Sequence, residues 1–193
     1  MPRTLFVGDV HSCATELRLL LEAVDPSRVI LLGDVFNKGP SPAETWALVQ
    51  RWGCESVLGN HDLAVLKLAK AGDLRVPKDA LIWLEALPTT IEGDGWVAVH
   101  AGLNPEGPTT LEQAVRVRRW PDDSDSDNPF WWQLYRGDAL VIYGHDAVRK
   151  VQDHRPRTLG LDSGCVYGGA LTGYVLEEDR IVSVAALRDY RAV

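Results

Sequence analysis

One pattern recurs in the first part of the chain and constrains what it can fold into: a short β-type apolar run, a glycine step onto a polar side chain, then a helix. "RTLFVGD" ends at Gly8-Asp9 and gives way to "CATELRLLLEAV", where Leu17, Leu20, Leu21 and Val24 recur at helical spacing. "RVILLGD" ends at Gly33-Asp34, and Ser41-Pro42-Ala43-Glu44 then predicts a helix start with a capping box and proline at its first position. "ESVLGNHD" runs into "LAVLKLAKAG", with Gly72 as the expected stop. Three strand-turn-helix units in succession predict parallel strands buried on both faces, with their loops gathered at the carboxyl ends.

The pattern then changes. A helix is expected near Lys78–Leu87, followed by a hairpin turning at Gly93-Asp94-Gly95. Another helix is expected over Thr109–Trp120, with Thr109 and Glu112 as a capping box. "PDDSDSDNP" reads as an acidic, turn-rich surface loop. Three β runs close the chain, "ALVIYGHD", "TLGLDSG" and "ALTGYVLEEDRIVSVAAL", the last folding back at Glu177–Asp179. No fixed-period repeat or linker divides the sequence, so a single domain over residues 1–193 is expected. The expected fold class is α/β, with two packed mixed β-sheets flanked by helices, a βα-rich first half and a hairpin-rich second half.

Composition narrows the function. Apolar residues make up 46% and charged residues 24%, as in an ordinary globular protein. A net charge of −7 argues against a nucleic-acid partner, which needs a basic face. An acidic chain that handles phosphates must bring a local cation, either clustered Arg and Lys or a metal. Cys13, Cys54 and Cys165 form no CxxC pair, and neither a disulfide framework nor a zinc ribbon is indicated. Asp9 interrupts the first apolar run, and no stretch approaches the length of a membrane span, so an unexported, cytoplasmic chain is expected.

Polar clusters follow the ends of apolar runs at Asp9/His11, Asp34, Asn60/His61, His100 and His145. Loops at strand ends are where open α/β sheets collect ligands. Carboxylate, amide and imidazole donors without thiolate suit manganese, iron or zinc, and offer too many imidazoles for magnesium or calcium. Two Asp, one Asn and three or four His, six side chains at least, exceed what one catalytic ion takes while keeping an open position; two ions sharing a carboxylate would use six.

"GDVH", "GDVFNKG", "LGNHD", "VHAG" and "YGH", in that order, resemble the motifs of the calcineurin-like metallophosphoesterases, specifically the phosphoprotein phosphatase branch. "NKGPSPAETW", "VRVRRW" and "LGLDSGCVYGGALTGYVL" are most similar to bacterial symmetrical diadenosine tetraphosphatases and small bacterial serine/threonine protein phosphatases. The resemblance implies two divalent ions, manganese first and iron or zinc as alternatives. It places one on Asp9, His11 and Asp34, and the second on Asp34, Asn60, His100 and His145, so that Asp34 bridges. It also implies direct attack of metal-bound hydroxide on phosphorus, with His61 free of the metals and protonating the leaving oxygen. Asp62 is left to cap the following helix.

Three features depart from that branch or extend it. Asn37-Lys38 stands where protein phosphatases carry Asp-Arg, so His61 lacks an anionic partner and Lys38 offers a point charge in place of a guanidinium fork. Arg116, Arg118 and Arg119 are candidates to clamp phosphate, Arg116 and Arg119 being expected on one helix face and Arg118 off it, and Tyr167 is a candidate to lean on it. The expected substrate is a dinucleoside polyphosphate, cleaved symmetrically to ADP, or a phosphomonoester. A serine/threonine or tyrosine protein phosphatase is the alternative, and a nuclease or a non-catalytic metal-binding module stands further off.

Overall fold

The computed structural model describes residues 2–192. The three sequence-defined units form β1 (Thr4–Val7), α1 (Ala14–Val24), β2 (Arg28–Leu31), α2 (Pro42–Trp52), β3 (Glu55–Ser56) and α3 (Asn60–Lys70). These strands are parallel neighbours. α4 (Lys78–Glu85) leads to the hairpin of β4 (Thr90–Gly93) and β5 (Trp96–Val99). The rest comprises α5 (Leu111–Arg116), α6 (Trp131–Leu134), β6 (Leu140–Tyr143), β7 (Gln152–His154), β8 (Thr158–Gly160), β9 (Ala170–Val175) and β10 (Arg180–Ala185).

Two five-stranded mixed sheets result, ordered β10-β9-β1-β2-β3 and β4-β5-β6-β8-β7. The second half is less hairpin-like than its sequence suggests. β5, β6 and β8 run parallel to one another, while the β9–β10 hairpin crosses to the first sheet and pairs antiparallel with the free edge of β1.

Strand periodicity explains the layering. On β1, Leu5 and Val7 enter the core beneath the first sheet's helices while Phe6 faces the other sheet; on β2, Val29 and Leu31 alternate with Ile30 in the same way. On β6, Ile142 joins the inter-sheet core, whereas Val141 and Tyr143 pack outward with Trp131 and Ala114. Strands buried on both faces read as continuous apolar runs.

Two helix starts differ from expectation. Ser41 makes no side-chain cap. Its ψ of 59° is not the extended conformation of a capping serine, and its N–H donates to Ser12 O at 3.2 Å, tying this loop to the loop after β1. The second box lies one residue later, Thr110 with Gln113. That helix stops at Arg116 instead of Trp120, because Val117 turns extended and the chain pairs with Phe130 and Trp131.

Trp131, absent from the expected helices, anchors this region. It is 1% exposed, and its indole N–H donates to Ala101 O at 3.1 Å. Trp131→Ala should therefore destabilise the fold by about 3–5 kcal/mol in urea unfolding; a loss below about 1 kcal/mol would show that the cluster does not hold the second sheet's outer layer.

Candidate functional site

The parallel strands of both sheets present their carboxyl ends at one rim. Asp9 and His11 follow β1, Asp34 follows β2, Asn60 and His61 open α3 after β3, His100 follows β5, His145 follows β6, and Asp162 follows β8. Together with Lys38, Arg118 and Tyr167, most of these line an open cavity of about 470 Å³. His100 lies beneath it, fully buried.

The backbone is unusual here. His11, Ser12, Asp34, Asn37, Lys38 and His145 all adopt positive φ, between 47° and 77°. Such conformations are costly for residues with side chains and cluster where function fixes geometry. Two glycines admit the carboxylates: a Cβ at Gly59 would collide with Asp34 Oδ1, and one at Gly144 with Asp9 Oδ1.

Three histidines are oriented alike. His11 Nδ1 lies 3.3 Å from Phe36 O, His100 Nδ1 2.7 Å from Leu32 O, and His145 Nε2 3.2 Å from Arg116 O. A carbonyl on one ring nitrogen fixes the tautomer and frees the other nitrogen for a ligand. The freed Nε2 of His11 is 3.6 Å from Asp34 Oδ2, and that of His100 is 3.5 Å from Asp34 Oδ1. Each oxygen of Asp34 therefore faces a different imidazole. His100 Nε2 also lies 3.0 Å from Asn60 Oδ1, and Asp9 Oδ1 accepts the backbone N–H of His145 at 2.9 Å.

His61 has a different environment. Its backbone N–H donates to Asp34 Oδ1 at 2.8 Å, while its ring Nδ1 lies 3.1 Å from Asn37 Nδ2. Asn37 Oδ1 already accepts the Lys38 N–H, at 2.9 Å, so the Asn37 amide donates to the imidazole. Burial first, then the nearby Lys38 charge, pushes His61 down to about 4. Proximity alone does not set it apart, since it shares a potential ion position with His11 and Asp34. Asp62 sits at the third position of α3 and accepts the Gly59 N–H at 3.1 Å, as a helix cap should, but also the Val35 and Phe36 N–H groups at 3.1 and 3.3 Å.

Asp162 was not anticipated as a site residue. Its carboxyl neighbours that of Asp9, and with Asp34 the three carboxyl groups are 5% exposed or less. Burial, the largest cause, raises all three, Asp34 to about 7. Packed carboxyls that must share protons in isolation, surrounded by imidazoles with one nitrogen free, fit divalent cations. Asp9, Asp34 and His100 form one such group and His11, Asp34 and His61 another.

Of the three arginines expected to clamp phosphate, the pair expected on one helix face does not reach the cavity. Arg116 pairs with Glu112 at 3.0 Å, and the Arg119 guanidinium lies 4.2 Å above Phe130 and bonds Asn128 O. Neither lines the cavity. Arg118 does, its Nη2 reaching His145 O at 3.5 Å and its Nε standing 3.9 Å from Asp146. Extended backbone after Arg116 turns alternate residues inward, so the helical face shared by Arg116 and Arg119 never forms. Lys38 donates to the Tyr167 hydroxyl at the cavity wall, and Arg191, beyond any motif, lies there too.

This architecture and donor set define a metal-dependent hydrolase of phosphoesters. Residues 2–183 match the profile of the calcineurin-like phosphoesterases, and the chain belongs to that family. A symmetrical bis(5'-nucleosyl)-tetraphosphatase of Aromatoleum aromaticum is 29% identical, covering 93% of this chain and 96% of its own. An asymmetrical bis(5'-nucleosyl)-tetraphosphatase of Geobacillus thermodenitrificans is 27% identical with 92% coverage of each. A crystal structure described as a candidate diadenosine tetraphosphatase superposes with a TM-score of 0.89 at 33% identity over 96% of both chains. The Aromatoleum alignment runs over 262 positions, more than the 193 residues of this chain, so that relative carries insertions missing here. No helix among the described residues is long and apolar enough to cross a membrane.

The carboxyls make cation binding visible in stability. Asp34 stands near 7 folded against about 3.9 unfolded, so its stabilising contribution is lost as pH rises through about 7. His61 and His100, both pushed down to about 4, act oppositely, losing theirs as pH falls below about 6.5. Above about 6.5 only the carboxyl contribution still changes. Chelated protein should therefore lose on the order of 5 °C in Tm between pH 6.5 and 8, and excess Mn²⁺ should restore it. Equal Tm values with chelator and with Mn²⁺ at pH 8 would argue against a cation site.

Proposed function

We propose that the chain is a dinuclear metal-dependent phosphohydrolase that opens a phosphoanhydride of a dinucleoside polyphosphate, with diadenosine tetraphosphate cleaved to two ADP. The observation that carries this reading is that His11, His100 and His145 each rest one ring nitrogen on a backbone carbonyl, while the other nitrogen of His11 and of His100 faces an oxygen of Asp34. Asp9, His11 and Asp34 would hold one ion, and Asp34, Asn60, His100 and His145 the other. The donors suit manganese, with iron or zinc as alternatives. When bound, such ions supply Lewis acidity and lower the pKa of a coordinated water.

The chain's own groups do the rest. Asp34, fixed by the His61 N–H, presents its two oxygens to different imidazoles, His11 and His100. Lys38 and Arg118 meet the anionic substrate at the wall. His61 stands free to protonate a leaving oxygen, but the Asn37 amide cannot stabilise an imidazolium as a carboxylate would.

That weakness favours one substrate class. Expelling a nucleoside diphosphate releases a phosphate oxygen whose conjugate acid ionises near 6, to order of magnitude. Expelling a serine side chain releases an alkoxide comparable to hydroxide, roughly ten units more basic. A poorly protonated histidine suffices for the first and handicaps the second. Symmetrical cleavage is supported by motif likeness and by relatives named for it; other relatives are named for asymmetrical cleavage.

Three results test this. Asp34→Ala should lower turnover by at least about 10³-fold while the fold survives; near-normal rates in excess Mn²⁺ would refute its role. Separated products of diadenosine tetraphosphate should be ADP alone, whereas ATP with AMP would contradict symmetry and no cleavage would favour the protein phosphatase. Across aryl phosphates, kcat/KM should fall steeply as the leaving group becomes more basic, and Asn37→Asp should flatten that slope by raising the pKa of His61. An unchanged slope in the variant would remove His61 from leaving-group protonation.

A further inference from the structure

Arg191 lies outside the motifs and outside the ligand set, yet it lines the same cavity as Asp9 and Asp34. What brings it there is a buried anchor. Glu16, in the first turn of α1, is fully buried, and its Oε1 accepts the Leu187 N–H at 2.9 Å and the Tyr190 hydroxyl at 2.7 Å. Oε2 has no partner among the described residues, so these two donors carry the bonding of the buried carboxyl and tie the C-terminal segment to α1. Tyr190 N–H donates to Val166 O at 3.0 Å, and Asp189 bridges to Tyr167. The segment is thereby tied to the loop that carries Asp162 and Tyr167.

The Tyr167 ring then holds two cations. Lys38 Nζ lies 5.0 Å from its centroid and the Arg191 guanidinium 4.8 Å from it. Asp189 grips Arg191 through Nε at 3.1 Å and Nη2 at 2.7 Å, while Nη1 has no bond among the described residues. Carboxyl groups form the floor of the cavity and cations its wall. A lone phosphate drawn to the floor already meets Lys38 and Arg118 in this cavity; a further cation stacked on Tyr167 beside Lys38 suits a chain of phosphates leaving the floor.

We infer that the C-terminal segment is part of the substrate site, and that Arg191, with Lys38 beside it on Tyr167, binds phosphates of a polyphosphate chain beyond the one being attacked. This rests on the phosphohydrolase reading but names a feature that reading does not require. The ligand class is a substrate with several consecutive phosphates, dinucleoside or inorganic. Arg191 is a specificity-determining residue here, since it touches substrate away from the reacting phosphorus.

The test is competitive inhibition of p-nitrophenyl phosphate hydrolysis by orthophosphate and by tripolyphosphate in excess Mn²⁺. Arg191→Ala should raise the ratio of the tripolyphosphate constant to the orthophosphate constant about fivefold, and Arg191→Lys should recover part of it. A ratio unchanged in Arg191→Ala overturns the inference, even if both constants move together. Failure of the wild type to hydrolyse any phosphoester would instead defeat the phosphohydrolase reading. Equilibrium binding of labelled tripolyphosphate to the same variants would then decide Arg191 separately, on the same fivefold criterion.

Discussion

Everything at the site depends on burying carboxyl groups and keeping them in place. Asp9, Asp34 and Asp162 sit at the ends of strands from two different sheets, close to one another and almost out of water. Left alone they repel and hold protons; they become an asset only when cations neutralise them. The backbone does the holding. Asp62 accepts N–H groups from the loop after β2 and from the start of α3, locking together the two loops that carry Asp34, Asn60 and His61. The His61 N–H then fixes Asp34 itself. Glycine at positions 59 and 144 leaves room for the two carboxylates. The cluster of left-handed residues is the conformational cost of this arrangement, met by packing of the strands beneath.

The charge distribution suits anionic substrates despite an acidic chain. Acidic groups occupy the floor, where cations would convert them into an attractive surface for phosphate, and Lys38, Arg118 and Arg191 line the wall. His61, the group proposed for proton transfer, has an amide for a neighbour. A strongly attractive site with a sparsely protonated histidine is better matched to an anhydride, which leaves readily, than to a serine ester, which does not.

Much of this was legible in the sequence because the signals are local. Apolar runs ending in Gly-Asp, followed by helical spacing, identify the βα units, and the ordered polar clusters identify Asp9, His11, Asp34, Asn60, His61, His100 and His145 as candidates that the structure brings to one rim. What was not legible depends on distant pairing. The β9–β10 hairpin joins β1 from the other end of the chain, a partnership no local pattern encodes. Of the three candidate arginines Arg118 reaches the cavity because helix α5 ends early, where Val117 turns extended and Arg118 and Arg119 pair with Trp131 and Phe130. Asp162 did carry a signal: "LGLDSG" repeats the apolar run and acidic step seen at Asp9 and Asp34, but it reads equally as a turn. Arg191 carried none, since its position is set by the burial of Glu16 on a helix far away in sequence.

The central claim is that Asp34 is shared between two cations. Anomalous diffraction from crystals grown with Mn²⁺ measures it directly. Two peaks about 3.5–4 Å apart, each within coordination distance of one Asp34 oxygen, are the predicted result. A single peak, or a pair that leaves Asp34 untouched, would contradict it.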